Sequence, residues 1–106
     1  KSYVLYQAVA RAVHGFPKPW RYSLGEKLPS SILTVVELTG QAFYARQPLR
    51  EPYILKMLGT LQTVQLLVRL CSDEKLITEH QFFAFSDKVQ ELERMAAGWL
   101  SSVRSH

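Results

Sequence analysis

One cysteine, Cys71, stands among the 106 residues. A lone thiol excludes an internal disulfide framework and a zinc site built from several cysteines. Apolar runs are short. None approaches the ~18 uninterrupted residues of a membrane span, and no charged-then-apolar leader with a cleavage site opens the chain. Lys1 in place of a methionine reads as a missing short N-terminal piece. Glycines are scattered at positions 15, 25, 40, 59 and 98, so there is no glycine-rich phosphate loop. Strand-like alternation, internal repeats and low-complexity tracts are missing too. The length suits about one domain. It is too short for a Rossmann domain with a substrate domain, a TIM barrel or a kinase. The expectation is a soluble, cytoplasmic single domain over residues 1–106.

What the chain has is helical periodicity. Residues 2–14 place Leu5, Val9, Ala12 and Val13 on one face, and Gly15 is the expected left-handed cap. Phe16-Pro17-Lys18-Pro19 is a rigid connector. A second helix is expected over about 19–46, with Leu24, Leu28, Ile32, Val35, Ala42 and Ala45 on its stripe and Phe43 in the core. Ser23-x-x-Glu26 is a capping box that offers an alternative start. Pro29 predicts a kink rather than a fresh start, because Gly25, four residues earlier, can deform. A third helix runs from about 52 to 72 through Ile54, Leu58, Leu61, Gln65 and Val68. A fourth, about 78–104, opens on the capping box Thr78-x-x-Gln81. It repeats Phe82, Phe85, Val89, Leu92, Ala96, Trp99 and Val103 in steps of three and four. Four helices with short connectors give an all-α, antiparallel up-down-up-down four-helix bundle.

Catalytic and metal chemistry find no constellation. His14, His80 and His106 have no second His or Cys at ligand spacing. Cys71 lies on an apolar helix and reads as core. The carboxylates look like cap and surface groups. No enzyme, no metal and no cofactor are expected.

Charge is distributed unevenly. Residues 1–56 carry eight basic and three acidic side chains, residues 57–106 five and six. Lys18, Arg21 and Lys27 cluster around the start of the second helix. Arg46, Arg50 and Lys56 flank its far end, Arg11 lies on the first helix, and Trp20, Tyr22, Phe43 and Tyr44 are interleaved. Arginine can hold phosphate bidentately and aromatics can stack on bases; ordinary solubilising charge is the alternative. Arg69, inside the apolar run Leu66 to Cys71, snorkels, pairs with a carboxylate or faces another subunit. Gly40, Gly59 and Gly98 interrupt helices, for close packing in the bundle or at a subunit interface. Phe83 and Leu100 fall outside the main repeat of the last helix, which suggests a second buried face and oligomerisation.

Phe16-Pro17-Lys18, Arg21 and Leu24-Gly25 are followed by Ala42 to Tyr44, Leu66-Leu67-Val68-Arg69-Leu70 and Gly98-Trp99-Leu100. Over about residues 14–102 this series resembles the accessory variability determinant proteins of diversity-generating retroelements. The resemblance implies a four-helix bundle forming a ring-like homopentamer with a positive surface. It implies binding of nucleic acid (template RNA and cDNA) and of the element's reverse transcriptase, without catalysis. Lys18 and Arg21 fall inside the matching motif; Arg11, Lys27, Arg46, Arg50, Lys56 and Arg69 are inferred from charge and setting. Pro29 departs from the family pattern. Bundle proteins encoded in 23S ribosomal RNA intervening sequences share the Phe-Pro-Lys start. They suggest the alternative, a protein-interaction module with no nucleic-acid role.

Overall fold

A computed structural model describes residues 2–105; Lys1 and His106 lie outside the described residues. The chain forms α1 (Ser2–Val13), the single turn α2 (Lys18–Arg21), α3 (Leu24–Tyr44), α4 (Arg50–Asp73) and α5 (Glu79–Arg104). No strand forms among the described residues. The long helices pack α3 on α4, α4 on α5, α1 on α3 and, closing the ring, α1 on α5. This is the expected antiparallel four-helix bundle, 47 Å along its major axis.

The core follows the apolar stripes. Leu5 and Val9 of α1 meet Leu28, Ile32 and Val35 of α3, Leu61, Val64 and Val68 of α4, and Phe85 and Val89 of α5. Phe16 plugs the corner between α1 and α2 at 2% exposure. A second, smaller cluster of Ala42, Ile54 and Val103 closes the far end, without any α1 residue. Helix lengths account for this division. The 12 residues of α1 cover about 18 Å of an α3 that is about 31 Å long at ~1.5 Å per residue.

Several boundaries differ from expectation. The second expected helix divides into α2 and α3. Ser23 is the N-cap of α3 but makes no capping bond; its hydroxyl instead donates to Trp20 O at 3.3 Å. The helix then runs unbroken through Pro29, so no fresh start occurs there. Gly15 does not take the left-handed conformation, as no glycine has positive φ; Lys75 does, at φ 60°. Around Lys75 the end of α4 closes with Leu76 N–H donating to Cys71 O at 2.8 Å and Lys75 N–H to Ser72 O at 3.0 Å. Those two bonds are the paired helix-terminating pattern that usually employs glycine. The α5 capping box is present in full, Gln81 N–H to Thr78 Oγ1 at 3.0 Å and Thr78 N–H to Gln81 Oε1 at 2.9 Å.

Among the described residues α4 alone is long and apolar enough to cross a membrane by length and composition, and 39% of its most apolar stretch is buried within the bundle. Lys56 and Arg69 are the basic residues within α4 beyond its first turn.

Candidate functional site

The fold brings Lys27 and Lys56 to one groove between α3 and α4. They are 29 residues apart in sequence, and antiparallel packing brings both to the lining of one groove, one toward each end. The local pattern explains why the groove is polar. Lys27, Ser31 and Thr34 recur at i, i+4 and i+7 on α3, and Lys56, Thr60 and Thr63 recur in the same steps on α4. Each triplet therefore lies along one helix face. The groove has Leu38 and Gly59 in its lining and no carboxylate. At Gly59 a Cβ would meet nothing within 4 Å, so the opening is unobstructed there. Lys27 and Leu38, near the groove's two ends, are separated by about 16 Å along α3.

The groove hydroxyls donate within their own helices. Thr34 Oγ1 donates to Ser30 O at 3.2 Å, Thr60 Oγ1 to Lys56 O at 2.8 Å and Thr63 Oγ1 to Gly59 O at 3.4 Å. Each oxygen keeps acceptor capacity, and each O–H can rotate toward a ligand oxygen. Lys27 and Lys56 are exposed, and neither is in an ion pair among the described residues. A polyanion lying along the groove would meet an ammonium group toward each end and a row of hydroxyls between them.

The other candidate cations are dispersed. Arg11 on the last turn of α1, Lys18 and Arg21 on α2, and Arg46 in the loop after α3 are exposed. Arg21 Nη2 lies 3.5 Å from Phe16 O. Arg50 has a structural occupation: its Nε donates to Ala42 O at 3.0 Å and its Nη2 to Phe43 O at 3.3 Å. It thus caps the last carbonyls of α3, which helix geometry leaves without partners. Arg69 is exposed and pairs with no carboxylate among the described residues, which removes the intrachain ion pair from its three alternatives. Leu66 and Leu70 beside it are exposed as well.

The aromatics divide differently from expectation. Trp20 packs against the core. Phe43, expected inside, is 65% exposed and Tyr44 is 84% exposed. Their rings meet edge to face, 5.1 Å between centroids. Phe43 continues the stripe of Ile32, Val36 and Thr39, but α1 is too short to cover it. Of the surplus apolar residues on α5, Phe83 is exposed, whereas Leu100 packs on the end cluster. Gly40, Gly59 and Gly98 face open space, so close packing within the bundle does not require them. Gly25 is the close approach: a Cβ there would lie 3.0 Å from Trp20 O and 3.2 Å from Val13 Cγ1.

Cys71 is fully buried, and burial pushes its thiol from the ordinary 9.0 up to about 11. A thiol held in that state is a poor nucleophile. No three His, Cys, Asp or Glu side chains gather as a metal site among the described residues.

Fold and surface together define a small antiparallel helical bundle with a basic, hydroxyl-lined groove. No family model, curated protein or solved structure matches the chain.

Proposed function

We propose that this bundle is a non-enzymatic accessory subunit of a diversity-generating retroelement. In this role it binds nucleic acid and the element's reverse transcriptase and supports mutagenic cDNA synthesis. It works in the cytoplasm, away from membranes and without a cofactor, as a homo-oligomer, a pentamer in the family it resembles. The observation that carries the reading is the α3–α4 groove, where Lys27 and Lys56 are exposed, outside any ion pair among the described residues and unopposed by a lining carboxylate. Backbone phosphates are the ligands such a track suits, because cations there displace condensed counterions from a polyanion. The net charge of +4 per chain sums to about +20 over five copies, enough to attract a polyanion from a distance. The resemblance in Phe16-Pro17-Lys18, Leu24-Gly25 and Gly98-Trp99-Leu100 supplies the reverse transcriptase as partner.

A protein-interaction module without nucleic acid is the second reading. Leu55, Leu66 and Leu70, exposed along α4, favour it. Light scattering with a salt titration of a labelled structured RNA separates the two. The retroelement reading expects a mass near five chains and an affinity that falls steeply with salt. It also expects Lys27→Glu with Lys56→Glu to flatten the salt slope by roughly 0.7–0.9 for each phosphate that is no longer neutralised. A monomer or dimer that ignores RNA at low salt would overturn it.

A further inference from the structure

We infer that the outer face of α3 is the seat for the outer face of α4 from a second copy of this chain. The inference rests on the homo-oligomer of the proposed function and specifies its contact. It does not depend on nucleic-acid binding.

Each face is a helical stripe turned away from the core. On α3, Glu26, Leu33, Glu37, Gly40 and Tyr44 lie within about 60° of arc at ~100° per residue. The four side chains are exposed, and neither glutamate is in an ion pair among the described residues. At Gly40 a Cβ would meet nothing within 4 Å, which leaves a notch in the stripe. On α4, Leu55, Gly59, Leu66, Arg69 and Leu70 lie within about 100° of arc and are all exposed. Arg69 is an arginine among leucines without an ion-pair partner among the described residues, the composition that interface centres favour.

The two stripes match in spacing and in charge. Glu26 precedes Gly40 by 14 residues, and Leu55 precedes Arg69 by 14 residues, about 21 Å in each helix. An antiparallel pairing therefore sets Arg69 opposite Glu26 and Leu55 opposite the Gly40 notch at the same time. Leu33 then stands between Gly59 and Leu66. Glu37 comes within two residues of the level of Lys56, on the groove-side edge of α4. Asp73, the acid at the end of the α4 face, falls past Glu26 at the level of Tyr22, beside Arg21 in sequence. Glu51, level with Tyr44, is already held by Arg104. The chain thus carries both halves of one contact, which names a second copy as the occupant.

The two faces belong to neighbouring helices of one bundle, so each copy gives α3 to one neighbour and α4 to the next. Such a contact is heterologous and generates a ring where the rotation closes. Apart from Gly59, the residues lining the α3–α4 groove lie about 80–140° around their helices from these faces. The groove is left uncovered by the contact.

The test follows the mass of the full chain over a dilution series by light scattering. Glu26→Arg and Arg69→Glu each set like charges against each other in every contact. Each is expected to raise the concentration of half-dissociation about 10-fold or more. The unfolding midpoint of the isolated chain should stay in place, since both side chains are exposed. The two substitutions together exchange the signs and are expected to restore the parental mass. Gly40→Cys mixed with Leu55→Cys should form a disulfide between copies on mild oxidation, which neither protein forms alone; Cys71 is buried and stays out of the reaction. An oligomer indifferent to both charge reversals, with no mixed disulfide, would overturn this contact and leave the homo-oligomer standing. A parent protein with the mass of one chain throughout would overturn both.

Discussion

Gln65 Nε2 donates to Ser86 Oγ at 3.1 Å across the α4–α5 interface, while Gln65 Oε1 is buried without a donor. The pair is half satisfied, and a buried polar atom without a partner costs about 1–3 kcal/mol. Ser86→Ala strips the amide of its one side-chain partner and is expected to destabilise the bundle by about 1–2 kcal/mol. Gln65→Leu combined with Ser86→Ala removes both polar side chains from this interface. It is expected to recover the parental stability or exceed it. Urea unfolding of the four proteins of this cycle measures the coupling. A neutral Ser86→Ala would show that the hydrogen bond contributes nothing.

Gly25 and Gly98 invite opposite expectations from one substitution. At Gly25 an added methyl meets a backbone carbonyl at 3.0 Å, which cannot swing aside as a flexible side chain would. Gly25→Ala is expected to cost about 1–3 kcal/mol, as overpacking does. At Gly98 the methyl meets nothing within 4 Å, and alanine is the better helix former by about 1 kcal/mol. Thermal unfolding followed by circular dichroism should therefore shift down in the first variant and up in the second. Equal shifts would contradict the packing described at the α1–α3 corner.

Arg50 and Arg46 separate architecture from recognition. Arg50→Ala leaves the last carbonyls of α3 uncapped and is expected to lower stability by about 1 kcal/mol or somewhat more. Arg46→Ala should leave the unfolding midpoint in place and weaken RNA binding, since its side chain has no ion-pair partner among the described residues. Stability and RNA affinity measured on the same two preparations check the division. Loss of stability in Arg46→Ala alone would reverse the assignment.

Lys75 occupies a left-handed conformation at φ 60°, which side chains with a Cβ enter at a cost of roughly 1–2 kcal/mol. Lys75→Gly is expected to stabilise the protein by about 1 kcal/mol, with the unfolding midpoint moving up by several degrees. Lys75→Val, branched at Cβ, is expected to move it down. A glycine variant no more stable than the parent would mean that the lysine makes interactions that offset its backbone cost.

The four-helix order was legible because its signals are local. Thr78 and Gln81 recognise each other three residues apart, and Phe85, Val89 and Ala96 lie in the spacing that buries one helix face. What escaped the sequence depends on distance. Phe43 lies on an apolar stripe of α3, so periodicity places it inside; only the length of α1 decides that nothing covers it. Arg50 reads as a free cation until the loop turns it back onto Ala42. The left-handed position fell on Lys75 rather than on Gly15, because the bonds from Leu76 and Lys75 back into α4 close that turn without glycine. The groove does have a signal in the sequence. Its two Lys-Ser/Thr-Thr triplets share one spacing, and they meet only when α3 and α4 run antiparallel.

That repeated spacing has a consequence for strand polarity. Two like triplets on antiparallel helices are related by a local twofold axis across the groove, so Lys27 with its hydroxyls faces one way and Lys56 with its own faces the other. A phosphate chain entering 5′ end first meets the same order of groups as one entering 3′ end first. The ammonium and hydroxyl groups alone cannot tell the two directions apart. Leu38 and Gly59 break the symmetry, because each lines the groove from one helix only, and a preference for strand direction within the groove has to originate there.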